Sequence, residues 1–199
     1  VGVAATRASS TAIAAAGVAG LVAGAISMAA GEYNSMRVQA ELLERELAVE
    51  AVELRRRPEH ETAELAGIYE QRGLEPGQAR EVAEAMMRDP DTALEAHARE
   101  ELGIDPTQLG SPLGAALASF FSFSLGAVVP LAPWFVGEGA AAIVASLVLG
   151  LTAAVVVGAL VGRSTGRPLA RAVVRQVLFT VVPALVTFAI GNALGVGTG

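Results

Sequence analysis

Carboxylates recur at helical spacing between Glu41 and Glu64, in the run ELLERELAVEAVELRRRPEHETAE. At about 100° per residue, Glu50 and Glu53 lie about 60° apart, and Glu61 and Glu64 return to within about 40° of Glu50. Pro58 cannot donate to the carbonyl of Leu54 and crowds the preceding turn, so the pattern predicts two helices, each carrying a Glu-x-x-Glu pair. Carboxylates at i, i+3 converge on a point that a hard divalent cation can occupy, because such cations take oxygen ligands. A solvated, Glu-rich helix face explains the same spacing. Further along, His97 and Glu101 stand at i, i+4, which suits either a shared metal or a surface ion pair.

A second set of candidates lies upstream. Met28 and Glu32 are one turn apart near the end of an uncharged apolar run. A carboxylate at that depth either lines a functional path or snorkels into the interface. Glu32 and Glu50 are separated by about five helical turns, roughly 27 Å, so an unbroken helix puts them on one meridian. Met28, Glu46 and Glu53 fall near the same line, a stripe able to lead ions from a polar platform to the mouth of a membrane path. Glu41 and Glu44 lie off it.

The elements that must position these groups follow from composition. Of 199 residues, 53% are hydrophobic and 17% charged, and the mean hydropathy is +0.51, which marks a membrane protein. Residues 37–110 hold 18 of the 20 acidic and 9 of the 14 basic residues, a net −9 against +3 for the remainder. All basic residues are Arg and there is no Cys, which excludes thiolate metal sites, disulfides and cysteine nucleophiles. Both histidines lie in the polar segment, so no intramembrane Ser/His site is available, and no Walker loop is present. The acidic balance argues against a nucleic-acid partner. Nothing in the motifs points to an enzyme or to a prosthetic group.

Four uncharged spans of bilayer length are expected, over 11–30, 112–136, 139–162 and 177–196. Gly20 and Gly24 form a GxxxG pair that lets another helix approach. Pro130, Pro133 and Pro183 interrupt backbone bonding within the spans, as tolerated beside a path. Between the first two spans, breakers and caps divide 37–110 into helices: 58–72 closed by Gly73, Pro76 to Arg88, and one beginning after Asp91 and ending at Gly103. Ala79, Val82, Ala83 and Met86 mark a buried face, and Met86 and Met87 read as packing residues. Arg37 and Arg45 after the first span, and Arg163, Arg167, Arg171 and Arg175 before the last, place 37–110 in the cytosol. The opposite side offers only Arg7 and Glu138. Without an initiator Met, and with Val1 opening inside an apolar run, the N-terminus is expected to be incomplete.

The runs GLVAGAISMAAGEY (Gly20–Tyr33), PEHETAE (Pro58–Glu64), HAREELGIDP (His97–Pro106) and FSFSLGAVVPL resemble, in order, the vacuolar iron transporter family. The resemblance implies an all-α, dimeric membrane protein with five spans, of which this chain shows four, and a cytosolic helical metal-binding domain inserted between the first and second visible spans. The divisions are then 1–36 for the loop and first visible span, 37–110 for the acidic domain, and 111–199 for three spans. By resemblance Glu50, Glu53, Glu61, Glu64 and Glu101 match glutamate ligands, and Met28 matches a methionine on the ion path. His97 joins them here as an auxiliary ligand, and Glu32 joins the path. Plant-type members carry a Met-Met pair where this chain has His97 and Ala98, and exchanging thioethers for an imidazole shifts metal preference.

The function so implied is export of Fe(II), or of Mn, Co or Zn as related divalent ions, from the cytosol in exchange for protons. The metal is the substrate, and lipid, protons and a second copy of the chain are the partners. The membrane is the cytoplasmic one in a bacterium and a vacuolar or similar organellar one in a eukaryote. A metal-gated channel and a non-transporting membrane protein with an acidic sensing domain are the rival readings.

Overall fold

A computed structural model describes residues 3–6 and 8–196. Val1 and Arg7 lie outside the described residues. Among those described the secondary structure is entirely helical. After a short 3-10 turn at Val3–Thr6 come α1 (Ser10–Arg56), α2 (Pro58–Gln71), α3 (Pro76–Met86) and α4 (Pro90–Glu100). Helix α5 (Pro112–Leu131) runs into a 3-10 turn at Ala132–Phe135, and α6 (Gly139–Ser164) and α7 (Leu169–Val196) complete the order. Four helices are long and apolar enough to cross a bilayer: α1, α5 with its 3-10 extension, α6 and α7.

The chain divides into two compact units, one formed by the residues up to 30 together with those from 116 on, the other by residues 31–115. In the first, the apolar side chains point outward. Phe121, Leu125, Phe179 and Leu185 are each more than half exposed, a surface suited to lipid and costly in water. The helices meet through small residues instead. A Cβ on Gly158 of α6 would stand 2.7 Å from Val173 Cα of α7, and one on Gly162 would stand 3.1 Å from Ala172 Cβ. Gly24 likewise seats Phe123 of α5, while Gly20 faces open space, so only one member of the GxxxG pair packs here. Ile13, Trp134 and Ala142 form a second buried cluster.

The 31–115 unit is built by local breaks. Helix α1 continues from the apolar segment to Arg56, and Arg57 leaves helical geometry before Pro58 opens α2. Helix α2 ends in a paired turn: Gly73 N–H donates to Glu70 O at 2.9 Å and Leu74 N–H to Tyr69 O at 3.2 Å, with Gly73 at φ 101°. Glycine takes this left-handed conformation without steric cost. Leu65, Ala66, Ala79 and Ala83 form the core between α2 and α3, with Tyr69, Leu74 and Met86 against it.

Several boundaries differ from expectation. Helix α4 starts at Pro90, because Asp89 rather than Asp91 is the N-cap, accepting from Thr92 N–H at 2.8 Å. It ends at Glu100 rather than Gly103, and α3 ends at Met86 rather than Arg88. Helix α7 begins at Leu169, eight residues before the apolar run from Val177, since Arg171 and Arg175 are good helix formers and charge does not stop a helix. Pro183 lies inside α7, which continues past it, whereas Pro130 stands one residue before α5 gives way to the 3-10 turn.

Candidate metal site

The C-terminal part of α1, the start of α2 and the end of α4 bring four side chains together within the 31–115 unit. Ligand atoms of Glu50, Glu61, His97 and Glu101 all lie within 4.8 Å of one another. Metal–oxygen and metal–nitrogen bonds are roughly 2.0–2.6 Å, so ligands across one ion are separated by about 4–5 Å, and the cluster has the span of a single cation. Three of the four are buried: Glu50 at 3%, Glu61 at 4% and His97 at 0% exposure. A solvated face does not describe them. That description does fit Glu41 and Glu44, which pair with exposed Arg37 at 2.8 and 3.8 Å.

Each ligand is placed by a local feature. Glu50 lies on the polar C-terminal part of α1, within the 31–115 unit. The break at Arg57 and Pro58 ends that helix and starts α2, so Glu61 comes to Glu50 within one turn of the break. On α4, the Asp89 cap and Pro90 set the register that turns Ala93, His97 and Ala98 inward. The His97 ring is held on both sides: Nδ1 is 3.0 Å from Ala93 O and Nε2 is 3.2 Å from Glu61 O. Both partners are acceptors, so a neutral ring donates to only one of them, and a nitrogen that binds a metal has to leave its carbonyl contact.

The electrostatics leave the cluster short of positive charge. Glu50 Oε1 is buried with no hydrogen-bond partner. Burial, then the Glu101 carboxylate, raise the Glu50 carboxyl from 4.5 to about 7; His97 opposes the shift and Glu61 and Glu53 add to it. Glu101 is also raised, by burial and then by Glu64, again opposed by His97. An orphaned buried carboxylate oxygen among like charges is the environment a divalent cation relieves. Oxygen donors with one imidazole suit borderline first-row divalent ions.

Not every expected ligand joins this group. Glu64 belongs to a second one, with Glu61 and His60, whose Nδ1 lies 3.4 Å from Glu61 Oε1 and 3.7 Å from Glu64 Oε2. His60 is not among the expected ligands, although its i, i+4 relation to Glu64 is a usable signal. Glu53 is in neither group and lines an exposed cleft with Arg45, Arg56 and Arg57. Met28 and Glu32 are exposed on α1, and Glu32 joins neither ligand group.

Helices and cluster together define a class: an all-helical, multi-pass membrane protein carrying a carboxylate–imidazole cluster outside its apolar segments. A family model described as the VIT family matches residues 1–192, and the chain belongs to that family. Among curated relatives, a vacuolar iron transporter of Acanthamoeba castellanii is 42% identical over 116 residues, 58% of this chain and 44% of the relative. Vacuolar iron transporter 1 of Eucalyptus grandis is 35% identical over 147 residues, 73% of this chain and 59% of the relative. The protein of that name from Arabidopsis thaliana is 33% identical over 147 residues, again 73% and 59%. The chain thus spans about half the length of the curated relatives it matches.

Proposed function

We propose that the protein moves Fe(II), or a related divalent ion such as Mn(II), across the membrane and out of the cytosol by proton exchange. Residues 37–110 are its cytosolic collecting domain and residues 111–199 supply three of its spans. The observation that carries this reading is the convergence of Glu50, Glu61, His97 and Glu101 within the polar 31–115 unit. The names of the relatives support iron as the cargo. Glu53 and Glu64 act as outer carboxylates of the same collecting surface, and Met28 and Glu32 line the entry to the membrane path.

Proton coupling follows from the ligands themselves. A carboxylate held near neutrality must lose its proton to bind a cation, so metal capture and proton release are linked. Arginines after the first span and before the last support a cytosolic position for the acidic domain. Assembly as a homodimer belongs to the same reading. The membrane is the cytoplasmic one in a bacterial cell, or a vacuolar one as in the names of the relatives. No chemical conversion of the cargo is involved. Anaerobic Fe(II) flux into proteoliposomes, with and without a pH gradient, tests this. Uptake that increases with a gradient of protons leaving the metal-receiving lumen supports exchange. Flux indifferent to that gradient identifies a channel, and absence of flux a non-transporting metal sensor.

A further inference from the structure

We propose that the junction between α6 and α7 binds the phosphate of an anionic phospholipid headgroup. Arg167, Arg171 and Arg175 line one cavity of about 330 Å³ with Thr165 and Ala172, and no carboxylate lines it. Every carboxylate ion pair among the described residues lies between Arg37 and Asp105, so these three guanidinium groups have none.

The local fold holds the three cations together. Helix α6 closes with Arg167 N–H donating to Gly162 O at 3.0 Å and Gly166 N–H to Arg163 O at 3.4 Å, which fixes where Arg167 departs. Pro168 begins the next turn, its carbonyl accepting from Arg171 N–H at 3.0 Å and Ala172 N–H at 3.2 Å. Ala172 is buried beside Gly162, and this contact sets the rotation of α7. Arg171 and Arg175, at i, i+4, then present the same face to the cavity. Mutual repulsion of three such groups is relieved by an anion, and a guanidinium fork matches phosphate oxygens bidentately.

A lipid, rather than a free anion, is the occupant the surroundings favour. The cavity lies where the apolar run of α6 ends and that of α7 has yet to begin, the level of a headgroup. Exposed Val174 and Leu178, on the same face of the helix as Arg171 and Arg175, offer an apolar wall for acyl chains. A zwitterionic headgroup carries its own cation towards the arginines and is disfavoured.

The test uses the full chain, purified in detergent, loaded with phosphatidylglycerol or phosphatidylcholine, with retained lipid counted by native mass spectrometry. The wild type should retain phosphatidylglycerol selectively, and Arg171→Gln/Arg175→Gln should lower that retention about 10-fold or more. Arg171→Lys/Arg175→Lys, which keeps charge and fold but loses the fork, should fall between. Arg163→Gln, outside the cavity, should behave as wild type. Equal retention of the two lipids, or an equal loss in Arg163→Gln, overturns the proposal in favour of diffuse interfacial charge. Complete displacement by tens of millimolar inorganic phosphate overturns it in favour of a free-anion site.

Discussion

His97 Nε2 lies 3.2 Å from the backbone carbonyl oxygen of Glu61, across 36 residues of sequence. The contact ties α4 to the helix that carries a candidate ligand carboxylate, so the imidazole is a packing group as well as a candidate ligand. His97→Ala removes a fully buried ring and leaves one buried carbonyl without its donor, and should cost the 31–115 unit about 2–4 kcal/mol. Chemical denaturation followed by helical circular dichroism, in the full chain, reads this. A change within a few tenths of a kcal/mol would show that the ring is not integral to the packing.

Glu50 gives the apo protein a defined pH dependence. Its carboxyl rises from 4.5 to about 7 on folding, so between those values the folded state holds more protons than the unfolded one. Stability from this group is therefore full below about 4.5 and is lost as pH rises through about 7. Metal affinity runs oppositely, increasing as the proton leaves. Glu50→Gln should flatten the stability profile and weaken metal binding at pH 8 by 10-fold or more, on the order of one lost charged ligand. Unfolding midpoints and Mn(II) titrations at pH 5.5, 7 and 8 check both signs.

The ligands are not equivalent in position, and substitution should rank them. Glu61 contributes to both ligand groups, whereas Glu53 joins neither. Glu61→Ala should reduce divalent-metal affinity by about 100-fold and Glu53→Ala by only a few-fold, as for a group acting through charge at a distance. Equal losses in the two variants would contradict the arrangement.

Within the membrane unit, Gly158 is the most demanding contact between α6 and α7. Its added Cβ would meet backbone at 2.7 Å, whereas Gly20 has nothing within 4 Å. Gly158→Ala should destabilise by about 1–3 kcal/mol, and Gly20→Ala should be nearly neutral unless a second copy packs there. Thermal unfolding in detergent compares them.

Much of this was legible in the sequence for physical reasons. Uncharged runs of bilayer length mark the spans, because length and apolarity are local properties. Pro58 marked the break that brings Glu61 to Glu50, and Gly73 the end of α2, because each acts through its own backbone. What escaped depends on packing. Helix rotation decides that Glu50 turns inward while Glu53, three residues on, stays exposed, and spacing alone treats the two alike. His60 is the exception, because Glu61 and Glu64 lie on its own helix and the spacing already carries that group. The start of α7 at Leu169 was missed because hydropathy registers the apolar run rather than the helix that leads into it.

Glu50, Glu61, His97 and Glu101 have the span to share one divalent ion. Isothermal titration of the full chain with Fe(II) under anaerobic conditions, in buffers of different ionisation enthalpy, tests it most directly. Saturable binding with proton release near pH 7 is expected, and it should be lost when Glu50, Glu61 and Glu101 are changed together to Gln. Binding that is unchanged in that triple variant, with helical content retained, would contradict it.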